Sequence, residues 1–526
     1  MERVFDKFIY ERVIKRINIY QRYTFLAAMV AGLWAHGFTI FNKISYLDDC
    51  YYYFDVGATF SSGRWGLGII RAIKDALSLG HYSMPVWNGL SSLLILALGA
   101  MLVVRVFEIE NKIYAILVGA YMVVFPVVTS TFAYMFTAPY YFLAALCMIV
   151  AVVLTKKYRM GCLAGGVLIA FGMGIYQAYF GVATALFVML LLKDFVSLPF
   201  EENMKRAMKY FFTLVGGIVV YFLMNKLCLA LTNTDLNDYQ GISGLTNFSV
   251  GEILTGIKDA YLIFPELVFG NFVGISNGGL IRGAYLACFL LFIILAVLIF
   301  GQIKGNVLNK ILYVVLVAMV PLSLAVISVM AFSEETYIHT LMIYDFVFIA
   351  IYPMVLLQTL QKITLKAKGL KLTEWLHGIT CIVVALMVVF YIRLDNFAYL
   401  KANYQQENAL AYFTVLMSEI KGTEEYRDEL PVVFLGNIDG MDTSIAPIRE
   451  FDAMTLQGYH TDMNTFISYY ANVLFMEVHC GYEYVEPSNL EEIKASETVQ
   501  NMPCYPDKGA VRVVDDVVVV KFSNSY

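Results

Sequence analysis

Long apolar segments recur along this 526-residue chain and constrain its fold more than any other feature. A helix needs about 20 apolar residues to cross roughly 30 Å of hydrocarbon, and lipid offers an open backbone no hydrogen-bonding partner. Hydrophobic residues make up 59% of the chain and charged residues only 15%, unlike a soluble domain. We identify eleven spans: residues 23–41, 84–106, 113–131, 136–155, 160–175, 177–192, 209–231, 284–301, 311–331, 340–360 and 375–393. The sequence therefore predicts a polytopic α-helical membrane protein with about 11 transmembrane helices.

Basic residues in the short loops predict the orientation. They cluster at Arg3, Lys7, Arg12, Lys15, Arg16 and Arg22; at Lys156, Lys157 and Arg159; at Lys193, Lys205, Arg206 and Lys209; at Lys304 and Lys310; and at Lys362, Lys366, Lys368 and Lys371. With eleven spans all five clusters lie on one side, which the positive-inside rule makes cytoplasmic. Residues 1–22 are then a retained, cytoplasmic amphiphilic segment, because no cleavage site follows them.

The region 160–192 offers an alternative, since its two short spans would also fit one long kinked helix. Fusing them would place the last two basic clusters outside, so we expect a hairpin that turns near Gly174–Tyr179. The loops 42–83, 232–283 and 332–339 then lie outside, with everything after residue 394.

Amphipathic helices are predicted in the first and fourth outer loops. From Trp65 to Leu79, apolar residues recur with a helical period against Arg71, Lys74 and Asp75, a pattern typical of a helix in the membrane interface. Residues 250–264 show a second such helix, which we expect to end at Pro265.

The tail, residues 395–526, predicts a small extracytoplasmic α/β domain beside a membrane domain at 23–394. Its expected elements are helices at 396–421 and 463–475, a strand after Pro431, and a hairpin over 511–522 that turns at Asp515-Asp516. It has 8 Lys/Arg against 21 Asp/Glu, whereas residues 1–394 have 29 against 21, so nucleic acid is not expected as a partner. Cys480 and Cys504 share this tail and could form a disulfide or remain free.

Two adjacent carboxylates, Asp48 and Asp49, follow the first span. Acids at the end of a helix are commonly just solvated. Here a Tyr51-Tyr52-Tyr53-Phe54 run follows, and Ser62-Gly63-Arg64-Trp65 leads into the first amphipathic helix. Carboxylate, aromatic surface and cation are what a sugar-phosphate site needs.

These motifs carry a resemblance to a known family. Tyr46-Leu-Asp-Asp, Gly63-Arg64-Trp65 and Gly174-Ile-Tyr-Gln-Ala178 together resemble the bacterial Gtr type II glucosyltransferases of O-antigen modification, within the GT-C superfamily. The resemblance covers roughly residues 20–395. It implies a GT-C-like enzyme that moves a sugar, with glucose as the first candidate, from undecaprenyl phosphate to a cell-surface polysaccharide or its lipid-linked precursor. It also implies the outer face of the bacterial cytoplasmic membrane, with membrane lipids around the site.

The same analogy suggests roles for individual residues. One of Asp48 and Asp49 is expected to act as general base, and the other to orient the acceptor or tune the pKa of its neighbour. Arg64 is the first candidate for binding the donor phosphate, and Arg282 and His339 are second candidates; each would equally suit an ordinary interfacial position. The expected substrate cavity comprises Tyr51, Tyr52, Trp65, Tyr176 and Gln177. Tyr176 and Gln177 would alternatively serve only to stabilise their turn.

No cofactor is expected, although adjacent carboxylates also suit Mg²⁺ or Mn²⁺. Two other functions remain open: a transporter or flippase for lipid-linked glycans, and a GT-C transferase with a protein acceptor. Nothing in the sequence decides the sugar, the linkage or the acceptor.

Overall fold

The computed structural model describes residues 17–44, 48–52, 55–57, 59–236, 250–270, 279–303, 307–330, 338–364, 370–436, 472–481 and 487–526. The chain forms two compact units. The membrane unit comprises Met1–Lys43, Phe54–Phe397 and Leu456–Gly458. The C-terminal unit comprises Ile44–Tyr53, Ala398–Thr455 and Tyr459–Tyr526, and therefore includes the short segment after the first helix.

The described residues are mostly helical. In chain order the helices are α1 Ile19–Phe41, α2 Asp48–Tyr51, α3 Trp65–Ala76, α4 Pro85–Val106, α5 Lys112–Val124, α6 Pro126–Phe132, α7 Ala138–Lys157, α8 Gly161–Ile175, α9 Phe180–Phe195, α10 Phe200–Thr232, α11 Val250–Phe269, α12 Gly279–Phe300, α13 Val307–Leu324, α14 Ile327–Met330, α15 Phe348–Thr364, α16 Leu370–Lys421, α17 Asn472–Cys480, α18 Leu490–Ala495 and α19 Glu497–Gln500. Short 3₁₀ turns lie at Phe60–Ser62, Gln177–Tyr179, Thr340–Met342 and Tyr344–Val347.

Ten helical segments in the described part of the chain are long and apolar enough to cross a membrane. A further predicted span, Gly161–Ile175, is an apolar helix of 15 residues and is shorter than the others. The chain is thus a polytopic helical membrane protein. The helix breaks at Tyr176, whose backbone is extended, within the expected turn Gly174–Tyr179, and the hairpin itself stays a prediction.

A second break interrupts a predicted span. The expected helix 113–131 stops at Val124, and Pro126 begins α6 as its first residue. A proline cannot donate to the preceding turn, and it pushes the residue before it, Phe125, into an extended conformation. Phe125 and Tyr176 are both buried, as expected of non-helical backbone at membrane depth. Both breaks therefore lie in the buried interior of the membrane unit.

Two predicted helix ends are wrong. Pro265 does not end the helix of the fourth outer loop, because α11 continues through it to Phe269, with Phe264 and Val268 buried on both sides of it. The predicted helices 375–393 and 396–421 are one helix of 52 residues, α16. No proline occurs in α16 and its last glycine is Gly378, so nothing in the local sequence interrupts it.

The C-terminal unit contains a three-stranded sheet of β1 Val432–Leu435, β2 Val511–Val514 and β3 Val517–Lys521, in the order β1-β3-β2. β3 pairs parallel with β1 and antiparallel with β2. The predicted hairpin is confirmed, since Asp515 and Asp516 both have positive φ, as a two-residue turn of this kind requires. Cys480 and Cys504 are both free thiols. Most of the predicted helix 463–475 lies outside the described residues.

A buried lysine holds the end of this sheet. Lys521 is 1% exposed, and its ammonium group donates to the carbonyls of Val499, Gln500 and Met502 at 3.1, 2.8 and 3.0 Å. These carbonyls belong to the end of α19 and the turn after it, where no helical donor follows. The cation therefore connects β3 to that turn.

Replacing Lys521 by Met should destabilise the C-terminal unit by about 2–4 kcal/mol, because methionine fills the space but leaves three buried carbonyls without a donor. Hydrogen exchange of residues 511–521 in the full-length protein measures this as faster exchange. Lys508→Met, at an exposed position, is the control and should leave exchange unchanged. Equal protection in both variants would contradict a stabilising role for Lys521.

Candidate functional site

The first turn of α3 packs closely against the end of α8, and a glycine on each helix permits this approach. Trp65 is 3% exposed, and its ring lies 6.1 Å from that of Phe171, centroid to centroid. A Cβ on Gly174 would lie 2.5 Å from the Trp65 ring, and a Cβ on Gly66 would lie 2.8 Å from the Gly174 carbonyl carbon. Only glycine permits this approach. The Gly-Arg-Trp and Gly-Ile-Tyr-Gln-Ala motifs therefore lie against each other.

Gly66→Ala should lower the stability of this contact by about 1–3 kcal/mol, because the new methyl group meets backbone that cannot rotate away. Thermal unfolding of the purified full-length protein and proteolysis near residues 60–80 measure the loss. Gly37→Ala is the matched control: its Cβ meets nothing within 4 Å, and alanine favours a helix. If Gly66→Ala unfolds no earlier than Gly37→Ala, the close packing does not hold α3.

Gln177 positions the loop that precedes α3. Its Nε2 donates to the carbonyl of Ser62 at 2.9 Å and to the Tyr221 hydroxyl at 3.1 Å, and that hydroxyl donates to the Gly63 carbonyl at 3.2 Å. Gly63 has φ +68°, and a Cβ there would lie 2.7 Å from the Tyr221 hydroxyl oxygen. The partners of Gln177 thus lie on the loop beside Arg64 and on α10, rather than only within its own turn.

Arg64 contacts the side chains of two tyrosines, Tyr141 and Tyr176. Its Nη1 donates to the Tyr141 hydroxyl at 3.0 Å, and its guanidinium carbon lies 5.2 Å from the Tyr176 ring centroid. The two tyrosine rings stack at 4.3 Å with 12° between their planes. Contact with ring faces orients a guanidinium through cation–π attraction. Arg64 as a whole is half-buried.

The outer part of α3 differs from its first turn. Ile73 and Leu77 are 53% and 62% exposed, while Lys74 donates to the Tyr140 hydroxyl at 2.8 Å. Arg71 pairs with Asp55 at 2.9 Å on the surface. Exposed apolar residues beside basic ones are typical of a helix that lies in a membrane interface. The helix Trp65–Ala76 agrees with the predicted amphipathic segment.

A buried carboxyl group that sequence reasoning missed lies next to the break at Tyr176. Asp345 is 2% exposed, and neither of its carboxyl oxygens has a hydrogen-bond partner among the described residues. A Cβ on Gly181 would lie 1.8 Å from its Oδ2, so glycine is required there. The Tyr344 and Tyr179 rings lie 5.9 Å apart beside it. Such a carboxyl group can accept hydrogen bonds from water or from a hydroxyl-bearing ligand.

A second missed acid, Asp395, lies on α16. It is fully buried and accepts a 2.6 Å hydrogen bond from the hydroxyl of Thr129 on α6, while its Oδ2 has no partner in the described part of the chain. An ionisable residue within the predicted span 340–360 is the signal that could have found Asp345, whereas Asp395 lies just beyond the predicted span 375–393.

The predicted catalytic acids belong to the C-terminal unit. Asp48 and Asp49 form the first turn of α2, where Asp49 is fully buried and Asp48 is half-buried. α2 packs against α17, which carries the half-buried Glu477 and His479. The tail of the chain thus supports the segment that holds the two acids.

The remaining predicted site residues are divided between the two units. His339 is buried in the membrane unit, where its Nδ1 accepts from the Leu341 amide at 3.2 Å and its ring lies 6.2 Å from Tyr134. Arg282 is exposed in the first turn of α12. Tyr52 is half-buried beside α2, and the side chain of Tyr51 lies outside the described residues. The roles of all these residues stay predictions.

Among the described residues, no group of three or more His, Cys, Asp or Glu side chains is arranged to hold a metal ion. Divalent cation binding by Asp48 and Asp49 stays a prediction.

The described part of the chain is a polytopic membrane protein with polar groups in its interior. It contains ten membrane-length helices, two breaks in the buried part of the bundle, and an amphipathic helix that follows the Gly-Arg-Trp turn. The family model described as glucosyl transferase GtrII matches residues 37–350, well over half of the chain, and the chain belongs to that family. The resemblance read from the motifs is thereby confirmed, and a glycosyltransferase role follows from it. No curated protein and no solved structure matches the chain.

Proposed function

We propose that this protein transfers a sugar from a polyprenyl phosphate to a cell-surface polysaccharide or its lipid-linked precursor. Glucose is the first candidate for the sugar, and the reaction takes place on the outer face of the bacterial cytoplasmic membrane. The observation that carries the proposal is the position of Arg64. This half-buried cation contacts Tyr141 and Tyr176 at the start of an amphipathic helix. A lipid-linked phosphate lies at the depth where such a helix lies.

Arg64 suits this donor because a guanidinium forms paired hydrogen bonds with phosphate oxygens. Its contacts with Tyr141 and Tyr176 hold the planar group in one orientation before the donor arrives. In the reaction the bond between the anomeric carbon and the phosphate oxygen breaks, and the phosphate leaves with the electron pair. A cation placed at that oxygen stabilises the developing charge.

The acceptor must lose a proton as it attacks. Its hydroxyl oxygen bonds to the anomeric carbon, and the proton passes to a carboxylate, for which Asp48 and Asp49 are the candidates. The half-buried Asp48 can meet an acceptor from solvent, while the fully buried Asp49 can orient its neighbour. Leaving-group stabilisation by Arg64 supplies the positive charge that this scheme needs, and binding of Mg²⁺ or Mn²⁺ by the two acids stays a separate prediction.

Transport of a lipid-linked glycan is the second candidate, since broken helices that enclose buried acids also occur in transporters. A transferase with a protein acceptor is the third. Membership of a glucosyltransferase family favours transfer over transport.

The deciding experiment supplies the purified protein in lipid nanodiscs with a panel of undecaprenyl phosphate sugars, each with candidate polysaccharide, lipid-linked and protein acceptors. Mass spectrometry should show one sugar consumed and one glycosylated product. Nucleotide sugars are the control and should not be consumed, because the proposed site recognises a polyprenyl phosphate rather than a nucleoside diphosphate. Movement of a lipid-linked glycan across vesicles without any new glycosidic bond would favour the transporter instead.

A further inference from the structure

An apolar cavity of about 240 Å³ lies inside the membrane unit, between α11, α12, α13 and α15. Aromatic and aliphatic side chains form its wall, among them Phe264 on α11, Phe292 on α12 and Tyr352 on α15. Smaller apolar cavities, of about 150 Å³, already bind an apolar guest in soluble proteins. This cavity is therefore large enough for a ligand.

The polar atoms of its wall are already used. The Tyr261 hydroxyl donates to the Ala318 carbonyl at 2.8 Å, and the Tyr352 hydroxyl donates to the Ala185 carbonyl at 2.8 Å. These are the two hydroxyl groups among the lining residues. A sugar or a lipid headgroup would lose its own hydrogen bonds here and find no replacements. The wall favours a guest without polar atoms.

The cavity extends to the exposed side surface of the helix bundle. Ile293 belongs to its wall and is 37% exposed, while Tyr352 on the far wall is 1% exposed. Leu290 on α12 and Met319 on α13 are exposed as well. Both helices have the length and hydropathy of membrane spans, so this face meets lipid chains. A chain from the bilayer can therefore enter from the side.

One helix, α13, contributes several residues of the wall. Pro321 lies within this helix and lines the cavity, and an internal proline removes one helical hydrogen bond. Val320, next to it, is 4% exposed and also lines the cavity. A larger residue at position 320 would therefore occupy the cavity, whereas Ala318 is exposed.

We propose that this cavity binds one hydrocarbon chain of a membrane lipid. The chain has two possible sources: an acyl chain of the surrounding bilayer or the isoprenoid chain of the donor. Occupancy by a hydrocarbon chain is independent of the enzymatic activity, whereas the isoprenoid source rests on the proposed function. The source is decided by experiment.

The test uses two photoreactive lipids in nanodiscs that contain the full-length protein. One is a phospholipid with a diazirine near the end of an acyl chain, and the other is a polyprenyl phosphate with a diazirine near the end of its chain. Mass spectrometry then locates the crosslinks. Adducts on Phe264 or Tyr352, which are 6% and 1% exposed, require a chain inside the cavity, because a lipid on the outer face cannot reach them.

Two filling variants at lining positions, Val320→Phe and Val317→Trp, should reduce the internal adducts about tenfold or more, because each methylene group kept out of the cavity lowers affinity about fourfold. Val315→Phe is the matched control: it lies on the same helix, is 47% exposed and is not part of the wall, so it should leave the adducts unchanged. Thermal unfolding checks that all three variants are folded.

Internal adducts from either probe that decline in the filled variants support the proposal, and the probe that gives them identifies the source. Wild-type protein labelled only on exposed residues by both probes would overturn it. Folded variants with undiminished internal adducts would overturn it as well. Neither readout depends on sugar transfer, so failure of the proposed function is seen separately in the donor panel.

Discussion

Asp48→Asn and Asp49→Asn should each reduce sugar transfer, and loss of the general base should cost about 10²–10⁴-fold. Asparagine keeps the shape of aspartate but cannot accept the proton of the attacking hydroxyl. The variant that loses the base should lose kcat, while the one that loses an orienting group should mainly raise the acceptor KM. Donor binding should persist in both, because the proposed ligand of the donor phosphate is Arg64 rather than either acid. Turnover with the preferred lipid-linked sugar and equilibrium binding of that donor are the two measurements.

Asp55→Asn is the matched control for this experiment. Asp55 lies a few residues further along the chain but forms a surface ion pair with Arg71, at 2.9 Å and 38% exposure, and such pairs contribute little. The rate of sugar transfer by Asp55→Asn should stay within about twofold of the wild-type rate. Near-normal transfer by both single variants and by the double variant would show that the acids do not catalyse the reaction.

Arg64→Lys and Arg64→Gln should raise the donor KM, by about tenfold and about a hundredfold respectively. Lysine keeps the charge but cannot form paired hydrogen bonds with phosphate, and it cannot stack in the same way on the rings of Tyr141 and Tyr176. Glutamine loses the charge, so kcat should decline as well, because the leaving phosphate is no longer stabilised. Initial rates over a range of donor concentrations separate the two effects.

Arg71→Gln serves as the control, since Arg71 is a cation on the same helix whose partner is the exposed Asp55. Its donor KM should resemble that of the wild type. A donor KM that does not change in Arg64→Gln, or one that changes equally in Arg71→Gln, would remove Arg64 from the phosphate site and leave only an interfacial role.

The spans were predictable because hydropathy is a local property. Twenty apolar residues need a membrane or a core whatever the rest of the chain does, and helix boundaries such as Pro85–Val106 agree closely with the expected 84–106. Local rules failed where packing decided. Pro265 was expected to end a helix, but buried neighbours on both sides stabilise α11 through it.

The candidate site was only partly visible in the sequence. Gly63, Arg64, Trp65 and Gln177 stood out as motifs, and their residue types suit turns, anions and interfaces. That Gln177 fastens the loop before Arg64 could not be read from them, because the two lie more than 100 residues apart along the chain. Asp345 was overlooked within the predicted span 340–360, where a single acid changes a hydropathy average very little, and Asp395 was assigned to the outer tail because the helix that carries it was expected to end at residue 393.

The sequence by itself determined that this is a polytopic membrane protein, and its motifs indicated a glucosyltransferase family, because apolar length and short motifs survive without long-range contacts. Only the tertiary structure decided which residues meet. Gly66 against Gly174, Gln177 against the loop at Ser62, and Asp345 over Gly181 are contacts between distant segments. They depend on the close approach of helices, which no local pattern encodes. For the same reason, the cavity beside Pro321 became apparent only when four helices were packed together.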